Sequence, residues 1–69
     1  MGLADSRYNL GVMYMDGRGV KQDLVTAYFW LHLAALQGDK NASVMRDSIA
    51  GDMSSAQMAE ASALIRERK

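Results

Sequence analysis

The chain has 69 residues, enough for one small core and no second domain. Eight Lys plus Arg offset eight Asp plus Glu, so there is no excess positive field to collect nucleic acid or anionic lipid. No cysteine is present, which excludes a disulfide framework, a thiolate nucleophile and a thiolate metal site, and leaves the redox compartment open.

Proline is absent and nearly all the glycine lies between apolar segments, so glycine marks the element boundaries and predicts four helices. The first runs from about Ala4 to Met15 and stops at Asp16-Gly17-Arg18-Gly19, where Gly17 can take the left-handed conformation that closes a helix. After a loop through Lys21 and Gln22, the Asp23 carboxylate can accept from the open N–H groups of a second helix that reaches about Gln37 and is stopped by Gly38. A third begins near Asn41 and ends at Ala50 and Gly51. Ser54-Ser55-Ala56-Gln57 has the form of a capping box, which starts a fourth helix from about Ser55 to Arg68. Arg66, Arg68 and Lys69 suit the negative end of that helix dipole.

Helical periodicity is clearest in the second helix. Ala27, Trp30, Leu31, Ala34 and Ala35 share one face at i, i+3, i+4, i+7 and i+8, while Tyr28, Phe29, Leu33 and Leu36 make the other side apolar as well. A helix apolar on both sides is sandwiched between neighbours or lies in an interface. In the first helix Gly11 sits beside Leu10 and Tyr14, so a facing helix can approach closely there. Trp30, Leu31, Tyr14 and Leu10 are expected at the centre of the core. The most apolar segment, Leu24 to Leu36, is far short of the roughly 20 residues that span a bilayer, so no membrane partner is expected. Met1 to Asp5 has neither the basic start nor the apolar run of a secretion signal, and a soluble chain not exported by that route is predicted, its compartment open.

Gly2 and Gly38 lie 36 residues apart and precede comparable helix starts, the period of a helical-hairpin repeat. Tyr8, Leu10-Gly11, Tyr14, Gly17, Gly19-Val20, Asp23, Ala27, Trp30, Ala34-Ala35 and Gly38 resemble the Sel-1-like repeat, a branch of the tetratricopeptide superfamily. The likeness covers roughly Gly2 to Ala42. In the second copy Arg46 and Asp47 stand where Leu10 and Gly11 do in the first, so the same close apolar contact cannot form. The expected fold is all-α, an α/α superhelical repeat of two stacked antiparallel hairpins in one domain over 1–69. Residues 1–37 are the repeat and 38–69 a divergent terminal cap.

The resemblance implies a scaffold that presents a surface to peptides or folded proteins, with the first helix of each repeat on the inner face. Carried over by position, that face holds Asp5, Tyr8, Asn9, Val12, Met15 and Asp16 in the first copy and Val44, Met45, Ser48 and Asp52 in the second. Acid, amide, aromatic and methionine side chains suit the grip on a peptide, since Met adapts its shape and Tyr offers area with a polar tip. The expected function is a non-enzymatic protein-interaction module with no cofactor. Two alternatives stand beside it: homo-oligomerisation through the second apolar side of the second helix, centred on Leu33, or the terminal piece of a longer array.

Other signals favour structural roles. His32 is the only histidine, cannot build a multi-histidine metal site, and lies one turn from Tyr28 as a hydrogen-bonded or partly exposed residue. Asp16, Asp23, Asp39, Asp47 and Asp52 cluster near helix ends, where carboxylates cap and form turns. Gly17-Arg18-Gly19 follows a helix and lacks the Gly-Lys-Ser/Thr ending of a phosphate loop. Met13, Met15, Met45, Met53 and Met58 read mainly as core filling. Cysteine-rich relatives of the repeat are linked to β-lactam binding or hydrolysis, but this chain has neither the cysteines nor a Ser-x-x-Lys nucleophile motif.

Overall fold

The computed structural model describes the backbone of residues 3–67 and the side chains of residues 6–67. Four helices form in order: α1 (Leu3–Asp16), α2 (Leu24–Leu36), α3 (Lys40–Ala50) and α4 (Ser55–Glu67). No strand occurs among the described residues. Gly2, the first mark of the repeat, and Arg68 and Lys69, assigned to the last helical turn, lie outside the described residues.

The helix boundaries follow from local chemistry. At the end of α1 the Gly17 and Arg18 N–H groups both donate to the Met13 carbonyl, at 2.7 and 3.0 Å, with Gly17 at φ +74°. The next two open carbonyls are also taken, Tyr14 by the Asp23 N–H at 2.9 Å and Met15 by the Gln22 side-chain amide at 2.8 Å. Asp23 caps α2 by accepting from the Thr26 N–H and hydroxyl. Gly38, at φ +95°, turns the chain into α3, which Asp39 caps through the Ala42 N–H. The capping box forms as its sequence predicts: the Ser54 hydroxyl accepts from the Gln57 N–H at 3.1 Å, and the Gln57 amide oxygen accepts from the Ser54 N–H at 2.9 Å.

The helices are arranged around α2, which packs most extensively on α1, then on α3 and then on α4. Direct contact between α3 and α4 is slight, so the second hairpin is held together mainly through α2. The buried core joins Ala27, Leu31 and Ala34 of α2 to Ala42 and Ile49 of α3, flanked by Tyr8, Tyr14, Met15, Tyr28, Met45 and Met53. Among the described residues Leu31 is the only large side chain that is completely buried. Trp30 and Leu10, expected beside it, are half-buried at the periphery, and Tyr14 packs against the cluster from its edge. The displacement has a geometric cause at Gly11. A Cβ placed there would lie 2.6 Å from Leu31 Cγ, so α1 and α2 approach until Leu31 fills the space above the glycine and the larger rings are pushed to the flanks.

The other side of α2 is covered too. Val25 and Leu33 are buried without belonging to that cluster, as is Ala61 of α4, and α4 packs on α2. Leu33, the centre of the expected self-association face, is buried within the chain. Leu36, grouped with the same face in the sequence, is instead 66% exposed, one turn beyond Leu33 at the end of α2.

Candidate partner-binding face

The ten residues assigned to the inner face divide by exposure. On α1, Tyr8 and Met15 pack against the core, Val12 is half-buried, and Asn9 and Asp16 are exposed. Asp5 belongs to the first turns of α1, but its side chain lies outside the described residues. Asp16 faces the Arg18 guanidinium at 3.6 Å, an exposed ion pair of little energetic weight. On α3, Val44 is 67% exposed, Ser48 is exposed one turn later, and Met45 is turned inward to the core. Asp52 is exposed in the α3–α4 turn.

The period of α3 explains this division. Ala42, Met45 and Ile49 form the stripe that meets α2, so Val44 and Ser48 fall on the far side. The proposed residues therefore form two strips, Asn9 to Asp16 on α1 and Val44 to Ser48 on α3. Direct contact between the two helices is at most slight. No enclosed pocket and no grouping of three His, Asp or Glu side chains occurs among the described residues.

A polar cluster that the sequence does not disclose joins α2 to α3. The Arg46 guanidinium reaches His32 Nδ1 at 3.3 Å, donates to the Ser43 hydroxyl at 3.4 Å and faces Asp47 at 3.4 Å. Since a guanidinium has only donors, His32 Nδ1 is the acceptor in this contact. The imidazole also stacks on Tyr28, with ring centroids 6.3 Å apart and planes 10° apart. In the sequence Arg46 reads only as a break in the apolar pattern. It is a cross-link between positions 14 apart, brought together by the antiparallel turn at Gly38, and no local spacing signals it.

These features define a class: antiparallel helices closed over a glycine seam, with a left-handed glycine stop and a carboxylate cap at fixed spacing, are the parts of a helical-hairpin repeat. A family model described as Sel1 repeat matches residues 4–39, which is 36 of the 69 residues. The chain belongs to the Sel1 repeat family. The matched span takes in α1, α2 and the Asp39 cap, and ends where α3 begins. No curated protein and no solved structure matches the chain. Among the described residues no helix is long and apolar enough to cross a membrane.

Proposed function

We propose that the chain is a protein-interaction module that holds a partner segment against the exposed strips of α1 and α3, with residues 38–69 acting as the cap of the repeat. Membership of the Sel1 repeat family carries this reading, because such repeats serve mainly as protein-binding scaffolds. The surface chemistry supports it. Asn9, Asp16, Ser48 and Asp52 offer hydrogen-bond partners, and Val44 presents an aliphatic side chain that the chain itself leaves uncovered. Tyr8, Met15 and Met45 act from beneath, holding the helices in place, so their removal would confound affinity with stability.

The test uses the exposed members only. Asn9→Arg with Val44→Arg should weaken capture of a specific partner from host extract by about 2 kcal/mol or more if these positions are hot spots, with the thermal midpoint unchanged. Ser62→Arg, on an exposed position of α4, should leave capture intact. Equal capture by all three proteins would place recognition elsewhere on the surface.

A further inference from the structure

The three interhelix turns are not alike. Both turns around α2 use glycine at positive φ, Gly17 and Gly19 before it and Gly38 after it. The α3–α4 turn has no such residue: Gly51 sits at φ −66° and ψ −23°, which are helical values. Beyond it the Asp52 N–H donates to the Ile49 carbonyl at 2.9 Å and the Met53 N–H to the Ala50 carbonyl at 3.3 Å, so the chain keeps turning in the helical sense. Met53 packs on the core in the position that α3, if prolonged, would give it. Ala42, Met45, Ile49 and Met53 follow one another at i, i+3, i+7 and i+11. What separates α4 from α3 is therefore the break at Ser54, held by the capping box with Gln57.

Beyond this break α4 is attached lightly to its own hairpin. It has at most slight contact with α3, contributes nothing to the main cluster, and packs on α2. We propose that α4 exchanges between two copies of this chain: the joint at 51–54 straightens, α3 and α4 become one helix, and each α4 packs on α2 of the other copy. The contacts of α4 on α2 are the same in both arrangements, so the balance is set by the joint and by concentration. A second copy of α4 matches the surface that opening leaves bare. The part of α2 that α4 covers thus becomes an interface through exchange, not through a face already open in the monomer.

Two variants separate this arrangement from any other dimer. Ser54→Ala with Gln57→Ala removes a cap that only the closed form uses, and should raise the association constant by about tenfold or more, read by light scattering across a concentration series. Ser55→Pro places proline at the first position of α4, where it is favoured. In a continuous helix the same proline loses the bond to Gly51 and clashes with its carbonyl. Ser55→Pro should therefore abolish the dimer and keep the helix content of the monomer. A dimer that survives Ser55→Pro, or a Ser54→Ala/Gln57→Ala protein that stays monomeric at every concentration, overturns the proposal.

Discussion

The two hairpins of this chain are stabilised in different ways. α1 and α2 meet directly along a seam set by Gly11 and closed by hydrogen bonds to the Met13, Tyr14 and Met15 carbonyls, so this hairpin is specified by its own residues. α3 and α4 hardly touch each other and are ordered by what each buries against α2. The contrast shows where repeat character resides: the family match stops at residue 39, where mutual packing within a hairpin gives way to packing on a shared central helix.

The sharpest way to break this contrast is to remove burial on either side of α2. Leu31→Ala takes the fully buried side chain from the core that α1, α2 and α3 share, and should cost about 3 to 4 kcal/mol in chemical denaturation, enough to unfold much of so small a domain. Val25→Ala, buried outside that cluster, should cost only about 1 to 2 kcal/mol. Equal losses would mean that the two sides of α2 contribute alike.

Gly11→Ala tests the seam itself. Alanine is the better helix former by about 1 kcal/mol, but its Cβ would stand 2.6 Å from Leu31 Cγ and 3.3 Å from the Ala27 carbonyl oxygen. A net loss of about 1 to 2 kcal/mol is expected, since overpacking outweighs propensity. Combining Gly11→Ala with Leu31→Ala should cost less than the sum of the two, because the second change removes the atoms that the first would strike. Strict additivity would mean that Gly11 does not set the approach of the helices.

Much of this architecture is legible before any coordinates, and the exceptions share a cause. Asp23, Gly17, Gly38 and the Ser54–Gln57 box act within four residues of themselves, so their sequence states their role and the structure follows it. Trp30 and Leu33 are different, because periodicity names the faces of α2 but not which neighbour covers each face. Trp30 is peripheral since Leu31 occupies the space above Gly11, and Leu33 is buried outside the main cluster. For the candidate site, Asn9, Asp16, Val44 and Ser48 are exposed, as the helical period allows. It could not show that Tyr8, Met15 and Met45 face the core, nor that Arg46 binds across to His32. Those outcomes depend on how the helices cross.

A smaller effect compares the glycines of the two hairpin turns. Gly17→Ala forces alanine into φ +74°, with its Cβ 3.4 Å from the Gln22 Cβ, and should lower stability by about 1 to 2 kcal/mol. Gly51→Ala has the opposite sign: φ is −66° and the nearest atom, the Ser48 carbonyl oxygen, lies at an ordinary 3.5 Å. The native backbone accepts alanine there without strain while the unfolded chain loses freedom, so a gain of about 0.4 to 1 kcal/mol is expected from the shift in urea midpoint. Because residue 51 is helical whether the joint is bent or straight, Gly51→Ala should also leave the monomer–dimer balance nearly unchanged, in contrast to the capping-box variant. A stability loss at Gly51 would mean that this turn depends on a conformation only glycine reaches, and the two hairpin turns would then be equivalent after all.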